Sequence, residues 1–170
     1  SEYTPVSQVK FLIDFNHNEI KYYDSVKRCL TYAAKLSGDE NLYKLLNRLG
    51  EGAKNLVYCH SKTRVIEYAQ TYAGMLPELH DPDLDALSDE IKDEVYVDYF
   101  LAETVKRGVA YHIGYLPAAL RLRIEELFRQ EGKIHTIVCT STLLEGVNLP
   151  ADNLFVTHYL NGKKELNEVA

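Results

Sequence analysis

No stretch of this sequence approaches the roughly 18 uninterrupted apolar residues that a membrane-spanning helix needs. The N-terminus also lacks the charged-then-apolar layout of a secretory signal. Cysteine is scarce: Cys29, Cys59 and Cys139 are too few and too far apart for a disulfide framework, and no CxxC pair suggests a structural zinc site. A soluble, cytoplasmic protein with reduced thiols and no membrane contact is expected. Only 9 glycines and 5 prolines occur, which excludes collagen-like, low-complexity and wholly disordered chains. Positive charge is in deficit as well. The 19 Lys and Arg against 25 Asp and Glu leave a net charge of -6, a field that repels nucleic acid, so any contact with it must be local. The chain starts at Ser1 and its single methionine is Met75, which reads as a piece of a longer chain.

Several chemical signatures are missing too. There is no GxxxxGK[ST] phosphate loop, no DExD or DExH box, no GxGxxG after a strand and no HExxH, so a self-sufficient ATPase is not expected. What remains is 170 residues with an apolar share of 46%, enough for one domain that buries about 70% of its unfolded surface.

From about residue 54 onward, strand and helix periods alternate. Leu56 to Cys59 is a short apolar run of the kind buried on both faces of a sheet. Ser61 then offers a helix N-cap, and Val65, Ile66, Ala69, Tyr72 and Ala73 recur at helical spacing up to Gly74. Val109 to Tyr111 is a second short strand, closed by Gly114, and Pro117 opens a helix carrying Leu120, Ile124, Leu127 and Phe128. After Gly132 come strands at Ile134 to Cys139 and Leu154 to Thr157. Parallel neighbours need crossovers of about a dozen residues, so the order predicts an α/β, doubly wound, mainly parallel sheet with helices on both faces. Residues 81–106 are acidic, with sparse apolar positions at helical spacing, and read as a helical insertion outside the sheet. In the first 50 residues, Val9 to Asp14 and Glu19 to Tyr23 read as a hairpin across Asn16-His17-Asn18, and 26–50 carries a helical pattern.

Three loops follow these strands, and ligands of open parallel sheets collect beyond the carboxyl ends. Cys59 to Arg64 combines a helix start, a hydroxyl and two cations, which suits a phosphate; by itself it also fits an ordinary capped helix with solvated charges. His112 to Pro117 has a glycine that allows close backbone approach, although a histidine there is more often a packed side chain than a ligand. Thr140 to Pro150 places three consecutive hydroxyls beyond a strand end, able to donate to phosphate oxygens, with Gly146 and Asn148 placed for a second ligand.

These segments, CHSKTR, GVAYHIGYLPAALRLRIEELF and IHTIVCTSTLLEGVNLPADNLFV, resemble motifs IV, IVa and V of the second RecA-like domain of superfamily-two helicases. The pattern is nearest the superkiller-type DExH branch. The match is tight over about 54–158, and residues 4–8 leading into Val9 to Asp14 resemble the strand that enters this domain. The resemblance implies one RecA-like domain over 1–170. It sets Ser61, Arg64, His112, Gly114, Thr140 and Ser141 toward a nucleic-acid strand, and Glu145, Gly146 and Asn148 toward the nucleotide. It further implies a single strand of RNA or DNA as partner, a first RecA-like domain in the same chain, and ATP with magnesium held mostly by that domain. Two departures stand out. Tyr111 replaces the first histidine of the HHxG form, and the 170 residues contain no QxxGRxGR segment.

Two other classes compete with this reading. A helicase-like domain kept as a non-catalytic scaffold fits the acidic balance. A thiol hydrolase using Cys59 or Cys139 fits poorly, because thiols inside apolar strands are usually inert. As an isolated polypeptide the 170 residues are expected neither to hydrolyse ATP nor to unwind a duplex above background. Nucleic-acid-stimulated ATPase in a clean preparation of this piece would overturn the half-motor expectation.

Overall fold

The computed structural model describes residues 9–95, 99–144, 149–157, 160–161 and 164–165. The strand-like segment at 4–8 lies outside them. The chain divides into two compact units, Ser1–Arg48 and Leu49–Ala170, where the sequence reading treats 1–170 as one domain.

The first unit contains an antiparallel meander of β1 (Phe11–Asp14), β2 (Glu19–Asp24) and β3 (Cys29–Lys35). Both of its turns are built alike. Asp14 Oδ1 accepts the Asn16 and His17 amides, and Asp24 Oδ1 accepts those of Val26 and Lys27, the local side-chain bonding that favours aspartate at turns. Each turn leaves through a left-handed residue, Asn18 at φ 54° and Arg28 at φ 53°. The helical pattern expected over 26–50 therefore begins only at α1 (Leu42–Gly50), where Asn41 Oδ1 accepts the Lys44 amide. Residues 29–35 pair with β2 instead. Their exposure, high at six of seven positions, removes the period-two pattern by which a strand is recognised.

The second unit holds four parallel strands in the order β5-β6-β4-β7, namely β5 (Val109–His112), β6 (Thr136–Cys139), β4 (Asn55–Tyr58) and β7 (Asn153–Val156). Every residue of β4, β5 and β6 is buried, so helices cover both faces of this α/β sheet. β7 is an edge, and on it Leu154 and Val156 are exposed. Ser61 caps α2 (Lys62–Ala73), its hydroxyl accepting the Arg64 amide, and the buried Val65, Ala69, Tyr72 and Ala73 form the inward stripe. Gly74 ends this helix and Pro117 precedes α5 (Ala118–Arg129), whose Leu120, Ile124, Leu127 and Phe128 are buried. The acidic stretch forms α3 (Pro82–Glu94) and α4 (Tyr99–Val105). Leu84, Leu87 and Ile91 share one fully buried face of α3. A short α6 (Ser141–Leu144) follows β6, and the two-residue strands β8 (Leu160–Asn161) and β9 (Lys164–Glu165) pair antiparallel.

Polar groups tie the amino ends of the parallel strands. Asn55, fully buried, donates to the carbonyls of Gly50 and Ala53, and its Oδ1 accepts from Asn153 at 2.9 Å. The Lys54 amide donates to Asp152 at 2.7 Å, and its ammonium to the carbonyl of Ile134 at 2.9 Å; burial pushes its pKa down. Gly108, at φ +73°, brings its carbonyl to the amides of His135 and Thr136.

A side chain at Gly108 would have its Cβ 2.5 Å from His135 Cδ2 and 3.0 Å from Leu79 Cδ1, whereas Gly52, at φ +69°, has nothing within 4 Å. Both alanine substitutions impose a left-handed backbone cost of about 1–2 kcal/mol, and Gly108→Ala adds the clash. Denaturant midpoints should fall for both variants and about twice as far for Gly108→Ala, with unchanged slopes. Equal losses would show that the His135 ring yields freely.

Candidate nucleic-acid interface

The register brings the strand ends level. Tyr58 pairs with Cys139 and with Val156, and His112 pairs with Cys139, so the loops after β4, β5 and β6 leave one edge of the sheet. Parallel pairing allows no other outcome. Ser61, Gly114 and Thr140, distant in sequence, emerge on that same edge.

After β4, His60 is exposed and Ser61 half-buried. Capping occupies the Ser61 hydroxyl only as an acceptor, at 3.3 Å from the Arg64 amide, so its proton remains a donor. Arg64 is exposed and pairs with Glu67 at 2.8 Å. Surface pairs of this kind are worth about 0–1 kcal/mol, so its guanidinium is only weakly held.

After β5, the chain behaves differently at each residue. His112 is buried, at 2% exposure, with Nε2 3.3 Å from Glu125 Oε1 of α5 and no hydrogen-bond partner at Nδ1. Burial pushes its pKa down; Glu125 opposes this and the Arg121 charge reinforces it, and burial prevails because no partner meets the second ring nitrogen. The imidazole is then neutral near pH 7 and donates Nε2–H to the carboxylate. His112 thus faces the interior rather than the loop surface, and Gly114 and Tyr115 are the exposed residues of this loop.

After β6, Thr140 and Ser141 are half-buried. β6 lies between β5 and β4, so Thr140 follows a central strand. Glu145, Gly146 and Asn148 lie outside the described residues. Cys59 and Cys139 are fully buried, and burial pushes their thiols up to about 11 and about 12, which leaves no thiolate for nucleophilic chemistry. Among the described residues, no group of three or more His, Cys, Asp or Glu side chains could hold a metal ion, and no helix is long and apolar enough to cross a membrane.

Three residues at this edge, Glu125, Arg121 and Tyr115, were not singled out by sequence reasoning, whereas Lys62 is one of the two cations read after β4. Glu125 and Arg121 pack around His112, and Lys62 places its ammonium 5.3 Å from the centre of the Tyr115 ring. Glu125 had a readable signal, since it lies one residue from Ile124 on the buried stripe of α5. The Lys62–Tyr115 contact joins two loops and had none.

The four-stranded parallel sheet flanked by helices has the architecture of a RecA-like domain. No protein-family model matches the chain. It is similar to the ATP-dependent DNA helicase Hel308 of Pyrobaculum calidifontis, 30% identical over 131 residues, which is 72% of this chain and 18% of that protein. The Methanococcus vannielii Hel308 is 29% identical over 158 residues, 88% of this chain and 21% of the relative. The RQC trigger complex helicase SLH1 of Saccharomyces cerevisiae is 28% identical over 130 residues, 71% of this chain and 6% of the relative. The chain belongs to the superkiller-type branch of the superfamily-two helicases and corresponds to their second RecA-like domain. It spans about a fifth or less of the length of these curated relatives.

The buried imidazoles set a pH dependence. His112 and His135 both sit below the ordinary 6.5, in each case first through burial. The unfolded chain then binds protons that the folded chain does not, so stability is complete above about pH 6.5 and falls as pH drops below it. Asp14, Asp39 and Asp81, held below their usual 3.8, act the same way only in a more acidic range. Melting temperature should decline between about pH 7 and pH 5, with a shallower slope in His112→Gln. An unchanged slope in that variant would mean that folding leaves the titration of His112 undisplaced.

Proposed function

We propose that this chain is the strand-gripping half of an ATP-dependent helicase motor. The observation that carries the reading is the common edge at which Ser61, Arg64, Gly114, Thr140 and Ser141 emerge from loops after three in-register parallel strands. Hydroxyls, one exchangeable guanidinium and an exposed glycine backbone are groups that hold phosphate oxygens without reading bases. The grip is local, as an acidic chain requires. His112 acts here from beneath, its buried pair with Glu125 holding the base of the loop that presents Gly114.

The partners of this reading are a single strand of RNA or DNA and the first RecA-like domain of the parent protein. ATP and its magnesium would be held mostly by that domain, with Glu145, Gly146 and Asn148 completing the nucleotide side. Hydrolysis is positional and electrostatic in such motors, and closure of one domain on the other would move the gripped strand as a hinge. The Hel308 relatives carry ATP-dependent DNA helicase in their names, which supports the motor over the scaffold.

In the parent protein, Thr140→Ala should weaken single-strand binding by the value of one or two hydrogen bonds to a charged acceptor, roughly 1.5–3 kcal/mol each. The loss should be similar for oligonucleotides of different base sequence, DNA and RNA alike. Unchanged affinity, or a loss confined to one sequence, would remove Thr140 from the grip.

A further inference from the structure

At the strand-end edge, one aromatic ring stands out of the core between two residues that are locked into it. Ile113 and Leu116 are 0% and 2% exposed, whereas Tyr115 is 50% exposed. The Leu116 amide donates to the Ile113 carbonyl at 3.1 Å, closing a turn with Gly114 and Tyr115 at its tip. Anchors on both sides thus fix where the ring stands. Of the large aromatic side chains exposed in the second unit, Phe100 lies on α4 and Tyr115 lies in a loop after a parallel strand.

The ring also meets a cation from another loop. Lys62, the first residue of α2, brings Nζ 5.3 Å from the Tyr115 centroid. Because β6 lies between β4 and β5, the Lys62–Tyr115 contact joins the loops on either side of the β6 end, which Thr140 and Ser141 follow. A positioned ring beside hydroxyls and ammonium is the combination that single-stranded nucleic acids use, bases on the ring and phosphates on the cations. An ammonium over an exposed ring is weakly held, so it can turn to a phosphate as a base arrives.

We propose that Tyr115 is a stacking seat for one unpaired nucleobase and that Lys62 contacts the phosphate beside that base. The proposal rests on the reading of this edge as a single-strand track, and it adds a base contact to what is otherwise a backbone grip. Every base has a π face, so the seat holds the strand without selecting sequence.

The test uses the full-length parent protein on a duplex with a single-stranded tail, the junction fixing the register, and 2-aminopurine placed at successive tail positions. Stacking should quench the probe at one position in wild type and in Tyr115→Phe, and the quench should vanish in Tyr115→Ala. Affinity should fall about tenfold in Tyr115→Ala, alike for different tail sequences, and be retained in Tyr115→Phe. Lys62→Met should reduce the slope of log affinity against log salt by about 0.7, the value of one single-strand phosphate contact. If Tyr115→Ala binds and quenches as wild type while Thr140→Ala weakens binding, the seat is overturned and the backbone grip stands. Equal weakening in Tyr115→Phe and Tyr115→Ala would assign the effect to the hydroxyl and overturn stacking. A wild-type protein that binds no single strand would overturn the grip and the seat together.

Discussion

Parallel, in-register pairing of very short strands is the constraint on which the second unit depends. Four residues per strand offer few ladder bonds, and a buried backbone group without a partner is costly. The sheet holds because β4 lies between β6 and β7, and β6 between β4 and β5, so the central strands are paired along both sides. Covering helices follow from this, since a parallel strand must cross over before it can pair again. The site follows as well, because strands that all run in one direction send every following loop to one edge.

The two edges of the sheet have different chemistry. At the amino ends, Asn55, Asn153, Asp152 and Lys54 satisfy one another and the nearby carbonyls. His135 bridges Thr136 and the Arg107 carbonyl beneath Gly108. That edge is a hydrogen-bonded network running from the buried Asn55 to the exposed Asp152, and such networks fix geometry when satisfied. At the carboxyl ends Ser61, Thr140 and Ser141 are half-buried and Arg64, paired with Glu67, is exposed, while His112 and Glu125 pair beneath them in the core.

His112 belongs to the core although it stands beside the surface. Its sequence neighbour two positions on, Gly114, is exposed because β5 ends at His112 and Gly114 lies in the turn beyond it: His112 closes β5 with its side chain toward α5, where Glu125 meets it. A motif string alone does not separate the residue that touches a ligand from the residue that holds the loop. Burial does.

The sequence by itself determined the parallel α/β class, the four strands, the Ser61 cap and the termination at Gly74, because these depend on local period and on hydroxyl, glycine and proline chemistry within a few positions. It also carried the family, through strings whose residues stay adjacent in the chain. The second hairpin of the first unit was not legible. Cys29–Lys35 buries no face and so has no alternation, and its turn uses Arg28 at positive φ, a residue that does not announce such a backbone. Tertiary structure alone decided the strand order, with β6 between β5 and β4. It also decided which nitrogen of His112 goes unpaired, and that Lys62 meets Tyr115. Each of these joins residues that are far apart in the chain, and no local period or propensity carries information about such a meeting.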